Sequence, residues 1–512
     1  MKFELKLKNK NLKFDLIVLG AGLVLVFFYF LSRLINLTAI PVFADEAIYI
    51  RWAQVMRAVS SLRFLPLSDG KQPLFMWLVI PFLKFIHDPL IAGRLVSVLA
   101  GLGTMIGVFI ASLLLFKKKQ IAFFAALLYT ITPFTLFFDR MALVDGLLSF
   151  FGVWFFVLGV MLVKKKQLDL ALIAGMILGL GLLTKSPALF FALLLPTTLL
   201  LFNFKEKDSL LLFFKLIFLW GAVYFLAFAI YNILRLGPEF QMIAIRNKDY
   251  VFSLSEVFKH PLNPFWGNIK KALNWFWILL TPPIFILGPI GFFFALKKQF
   301  REALLIFIWI VLPLGGESAI AKVYTSRYVL FVVPLFLLFS AYGLMEIFNR
   351  FKNKILVVLF LSILFVFPIY QSLLLIVYPS AAWLPENERS GYLELWSAGY
   401  GIREAADYLK EVAKKEKVLV GTEGYFGTLP DGLQIYLEKV PGITVIGVGQ
   451  PITEISSKLT DGLKDNRVFL LVNDSRLKIA DLSRLKLINK YPKARNQKTG
   501  KQENLLLFEV LK

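Results

Sequence analysis

The sequence predicts an all-α polytopic membrane protein, with about 11 transmembrane helices, interfacial helices in its first outer loop and a small C-terminal α/β domain. Three observations carry this. Of 512 residues, 58% are hydrophobic and only 18% charged, where a soluble chain has about 25% charged residues. Phe alone occurs 52 times, and mean hydropathy is +0.70. The apolar residues fall in long blocks near bilayer length, and past residue 385 the composition turns charged and mixed.

The spans are expected near 14–36, 91–116, 121–138, 143–163, 168–184, 187–204, 209–234, 272–296, 302–316, 327–348 and 354–377. The short, Pro313-containing block is the weakest of them. The Lys117–Lys119, Lys164–Lys166, Lys205/Lys207, Lys297/Lys298/Arg301 and Arg350/Lys352/Lys354 clusters then share one side, which the positive-inside rule makes cytoplasmic. The stretch 72–87, interrupted by Pro73, Pro81 and Lys84, is read as interfacial or re-entrant, because counting it would reverse that agreement. Lys2, Lys6, Lys8, Lys10 and Lys13 precede a first block too long for a signal-peptide core, so an uncleaved span with a cytoplasmic N-terminus is expected. The expected location is the plasma (cell) membrane.

The net charge of +23 sits in these clusters and in the tail, which favours anionic lipid over nucleic acid. The absence of cysteine excludes thiol chemistry. With His87 and His260 as its only histidines, the chain is a poor candidate for a histidine metal cage. No cofactor is called for, and a divalent metal stays open.

This parity puts 37–90, 235–271, 317–326 and everything after about 378 outside. In the first segment, Trp52, Val55, Met56, Val59 and Leu62 recur at helical spacing, as in a helix lying on the bilayer surface. The tail carries a helix-like run near 401–416 and strand-like runs at 418–422, 443–448, 468–474 and 504–510, hence domains at 1–378 and 385–512.

Charges at a membrane boundary are costly and so informative. Asp45-Glu46 stands before the amphipathic helix, as a helix cap or as a carboxylate base. Asp139-Arg140 is followed by Asp145. If a helix starts near Asp139, Asp145 lies about 9 Å along it, with Arg140 as the nearest candidate partner. Lys71, Lys185 and Arg327-Tyr328 are outer-boundary groups, each alone readable as a snorkelling anchor. Together, carboxylates that activate a hydroxyl and cations that hold a phosphate are what phospho-sugar transfer needs.

The order FADEAIYIRWAQ, KQPLF, GRLVSVLAGLGT, DRMALVDGLL, LGLLTKSPA and SRYVLFVVP, over roughly 14–340, resembles the glycosyltransferase C superfamily. The likeness is to its protein O-mannosyltransferases and lipid A aminoarabinose transferases (glycosyltransferase family 39-like). The resemblance implies a polyprenyl-phosphate-linked donor, an outward active site, inversion at the anomeric carbon, and a protein, lipid or glycan acceptor. It implies Asp45 as base, with Glu46 beside it and Asp145 as a second acid. Lys71, Arg140 and Lys185 would hold the phosphate, with Arg327 and Tyr328 at the outer rim. The family's usual Lys-Pro-Pro and Thr-Lys-Gly-Pro are here interrupted by Gln72 and Ser186. Two other functions compete. A flippase for lipid-linked sugars should show half-repeats with broken helices, and none is visible. An assembly protein would tolerate loss of Asp45. A transferase to asparagine lacks its Trp-Trp-Asp signature here.

Overall fold

A computed structural model describes residues 9–350 and 353–512. Lys2, Lys6, Lys8 and Lys352 lie outside the described residues. Among the described residues, six helices are long and apolar enough to cross a membrane: Pro89–Phe116, Val144–Lys165, Ser209–Leu236, Phe300–Ile320, Ser326–Phe348 and Leu359–Val377. Two bent pairs bring the number to eight if each is one span. The first helix is Asn9–Leu34, while Leu168–Leu182 and Ala188–Leu201 are shorter apolar helices where full spans were expected.

The bends have local causes. Lys119–Ile131 and Pro133–Asp139 meet at 61°, because Pro133 disfavours helical backbone at Thr132 before it. The expected span 272–296 is instead two helices, Phe265–Leu279 and Pro282–Lys298, meeting at 113°. Thr281, at φ 70°, and the two prolines after it make the corner.

Val144–Lys165 runs through the centre, almost wholly buried. Pro282–Lys298 and Val333–Phe348 approach closely through Gly291 and Gly343, where a Cβ on Gly291 would collide with the Phe339 carbonyl. Small residues that admit such backbone contact are how helices pack without a hydrophobic drive in lipid. Outward faces such as that of Phe218 and Phe225 remain apolar and exposed.

The basic clusters gather at one end. Lys164 donates to the Leu114 carbonyl at 2.8 Å, Lys166 pairs with Glu206 at 3.4 Å, Lys298 pairs with Glu346 at 2.6 Å, and Arg350 lies 4.5 Å from the Phe294 ring. Asp145 opens the same helix that Lys165 closes, about 30 Å away.

At the Asp145 end, the helix Ala44–Ala58 is not a bilayer-surface helix. Both faces are buried, because the C-terminal region covers the side expected to meet lipid. Gln54 donates to the Ile435 carbonyl at 2.9 Å, Arg57 pairs with Glu438 at 2.5 Å, and the Trp52 and Phe426 rings lie 5.6 Å apart. The helix also stops short of Leu62. The segment 72–87 forms the short helix Leu74–Phe85.

The tail builds a sheet from β1 (Val418–Glu423), β2 (Ile443–Gly449), β3 (Arg467–Asn473), β4 (Leu485–Arg495) and β5 (Gln502–Val510), in the order β2-β1-β3-β5-β4. β1 runs parallel to β2 and β3, while β5 is antiparallel to β3 and β4. The helix Ile402–Ala413 matches the expected run, and residues before it reach into the membrane part. The Gly399 amide donates to the Val42 carbonyl at 2.8 Å, and the Ser326 amide donates to Glu388 at 2.8 Å.

Candidate active site

Three of the four segments expected outside, 37–90, 235–271 and 317–326, line one cavity of about 490 Å³. Asp45, Lys71, Asp145, Lys185, Arg327 and Tyr328 all line it. Asp45 sits in the first turn of Ala44–Ala58, yet it does not cap that helix. The capping carboxylate belongs to Glu46, which accepts from the Phe43 amide at 3.0 Å. Asp45 is thereby free to pair with Arg327, Oδ2 to Nη2, at 2.6 Å. Burial pushes the Asp45 carboxyl upward, but Arg327, Lys71 and Lys185 outweigh it and hold the group below its ordinary value of 3.8.

Asp145 lies in the first turn of the central helix, where a carboxylate suits the positive end of the dipole. No helix runs through from Asp139: one ends there and the next begins at Val144. The partner of Asp145 is Lys185 at 2.6 Å, not Arg140, with Arg327 Nε at 4.0 Å. Lys185 Nζ also lies 3.9 Å from the centre of the Tyr328 ring. Lys71 pairs with Asp69 at 3.3 Å and faces the Tyr250 ring at 5.4 Å. Burial would lower its ammonium, but Asp45 and Asp69 raise it above the ordinary lysine value, so it is charged. The interrupting residues meet each other, since Gln72 Nε2 donates to Ser186 Oγ at 2.9 Å, tying the Lys71 loop to the Lys185 loop.

Two sequence-predicted residues lie elsewhere. Glu46 is fully buried, and its carboxylate receives Arg94 at 2.7 and 2.8 Å and the Ala142 amide at 2.6 Å. Its carboxylate is committed to joining three segments, and Glu46 does not line the cavity. Arg140 is also fully buried, and its terminal nitrogens donate to the carbonyls of Ser32, Arg33, Ile35 and Asn36. It closes the C-terminal end of the first helix, whose carbonyls otherwise lack partners, and it does not line the cavity. Asp139 pairs instead with Arg33 at 3.2 Å.

Sequence reasoning missed Asp69, Arg246, Tyr250 and Glu317, which also line the cavity. Arg246 reaches Asp69 at 2.7 Å from the helix Met242–Tyr250 and so closes that segment over the site. Glu317, a lone acid at the end of an apolar block, carried a usable signal in the sequence. Apolar side chains, among them Leu189, Phe190 and Leu193, form another wall. Among the described residues no group of three His, Cys, Asp or Glu side chains is placed to hold a metal ion.

The family model described as dolichyl-phosphate-mannose-protein mannosyltransferase matches residues 70–233, the stretch with Lys71, Asp145 and Lys185. No curated protein matches the chain in sequence. In fold it is similar to ArnT from Cupriavidus metallidurans in the apo state, with TM-score 0.60 and 15% identity over 98% of both chains. Against ArnT bound to undecaprenyl phosphate the TM-score is 0.58 at 15% identity, covering 96% of this chain and 97% of that one. It is also similar to the Archaeoglobus fulgidus oligosaccharyltransferase in complex with Zn and sulfate, with TM-score 0.52, 12% identity and coverage of 88% of this chain and 68% of that one. The chain thus matches the mannosyltransferase family model over residues 70–233 and shares the fold of ArnT over nearly its whole length.

Proposed function

We propose that the chain transfers a sugar from a polyprenyl-phosphate carrier to a hydroxyl of a protein, lipid or glycan acceptor on the outer membrane face. The observation that supports this most is a single cavity holding Asp45, Asp145, Lys71, Lys185 and Arg327 at the end of the molecule opposite its basic clusters. ArnT, which shares the fold, is described bound to undecaprenyl phosphate, and that supports the same carrier class here.

Asp45 takes the proton of the acceptor hydroxyl as its oxygen attacks the anomeric carbon. The bond from that carbon to the phosphate oxygen breaks, and polyprenyl phosphate leaves with the electron pair. Attack opposite the leaving group inverts the carbon. Lys71, Lys185 and Arg327 balance the negative charge on the departing phosphate, in place of Arg140. Fixed cations in a water-poor cavity do this more strongly than solvent does. Asp145 holds Lys185 in position. The carrier chain lies along Leu189, Phe190 and Leu193.

Purified protein in proteoliposomes, supplied with a labelled polyprenyl-phosphate-linked sugar and membrane-extract acceptors, should release free polyprenyl phosphate as label moves to acceptor. Movement of the intact donor across the bilayer, with no bond broken, would favour the flippase instead.

A further inference from the structure

Each acid of the cavity but one has a cation. Asp45 has Arg327, Asp145 has Lys185, and Asp69 has Lys71 and Arg246. Glu317, near the C-terminal end of Phe300–Ile320, is buried and lines the same cavity, yet its carboxyl group makes no hydrogen bond or ion pair to any described residue. Lys185, whose charge reaches Glu317, is committed to Asp145 at 2.6 Å. A buried carboxyl without a partner is costly, and its neighbours on this helix are largely apolar.

A second group points the same way. The Thr325 hydroxyl oxygen is buried and unpartnered, and Thr325 also lines the cavity. The stretch between the two residues is held rigidly. Ser318 and Tyr324 share a hydroxyl hydrogen bond at 3.0 Å, and Asn268 Nδ2 donates to the carbonyls of Ser318 and Ala321 at 3.1 and 3.0 Å. Unfilled polar groups on a fixed frame are suited to a ligand's hydrogen bonds.

We infer that Glu317, assisted by Thr325, reads the sugar of the donor by hydrogen-bonding to its hydroxyl or amino groups. The inference rests on the function proposed above. A carboxyl group repels the carrier phosphate, which the cations take, and the donor's remaining polar part is the sugar. A site built to hydrogen-bond a substrate group discriminates strongly, because its buried atoms are left unpaired when that group is missing. A hydroxyl-bearing acceptor offers the same chemistry, so the test is run without one.

The full-length protein in nanodiscs would be titrated with bare polyprenyl phosphate and with the same lipid carrying a hexose, a pentose or an amino-pentose. At least one sugar-bearing lipid should bind wild type more tightly than the bare lipid does. Glu317→Leu should remove about ten- to a hundred-fold of that preference, while bare-lipid affinity stays within about twofold. Glu317→Gln, which keeps hydrogen-bonding capacity, should retain part of it, and Thr325→Val should lose less. An unchanged ratio of sugar-bearing to bare affinity in Glu317→Leu overturns the inference, whether both affinities hold or both fall. An unchanged ratio with weaker binding of a hydroxyl-bearing acceptor, titrated separately without donor, overturns it too and assigns Glu317 to the acceptor side. Wild type that binds none of the four lipids would instead count against the proposed function itself.

Discussion

Asp45 and Glu46 are adjacent, yet about 100° of helical rotation sends them to opposite tasks. Glu46 turns inward to Arg94 and holds the helix start, while Asp45 turns to the cavity and Arg327. Because the Asp45 carboxyl is held below 3.8, it is ionised at neutral pH. The stability that its pairing contributes is complete above the ordinary carboxylate value and lost only as pH falls through the lower folded value. The pH–rate profile should therefore show no acid limb from Asp45 above about pH 5, and such a limb surviving in every variant but Asp45→Asn would contradict this. Lys71 offers a stepwise test. Lys71→Met keeps the apolar stem and loses only the ammonium, so donor affinity or rate should fall about ten- to a hundred-fold with little change in stability. Lys71→Arg should recover part of the loss. Equal behaviour of all three in donor titrations would reduce Lys71 to an interfacial anchor. At this scale the sequence displayed the boundary charges but not their directions. Arg140 reads as an outer cation like Arg327, and only packing reveals that carbonyls of the first helix occupy it.

Among the elements, the long apolar helices and four of the five strands were legible, because hydropathy and alternation mark them directly. β4 was not. Its LKLINKYPKAR stretch carries three lysines and Pro492, the residues that protect a sheet edge, and β4 is an edge strand. The 113° corner at Thr281 was hidden inside a continuous apolar run whose prolines could equally have been tolerated within a span. The helix Met242–Tyr250 was also missed, since its role comes from Asp69 far away in sequence. Gly70 marks where these segments touch. It has φ 69°, and a Cβ there would meet Arg246 Cβ and the Met242 carbonyl at 2.7 Å. Gly70→Ala should cost about 1–2 kcal/mol from backbone strain alone, lower the melting temperature and loosen Met242–Tyr250 toward protease. An unshifted melting curve with unchanged cleavage would show that this contact is not needed.

For the whole molecule, the account depends on two ends of opposite character, one basic and one bearing the cavity and the C-terminal sheet. The proposed function puts the cavity end outside, the arrangement that positive-inside charge favours. Since the chain has no cysteine, Ser475→Cys, exposed in the turn after β3, supplies a single reporter. It should react with an impermeant thiol reagent in intact cells, and labelling only after lysis would move the site to the cytoplasmic face. The central claim is that Asp45 is the base of a transfer from lipid phosphate. The most direct measurement is single-turnover transfer by wild type and Asp45→Asn at saturating donor. The substitution is nearly isosteric and leaves the Glu46 cap intact, so folding and donor binding should persist while the transfer rate falls about a hundred- to ten-thousand-fold. A transfer rate near that of wild type, in a variant that binds donor normally, would contradict the account.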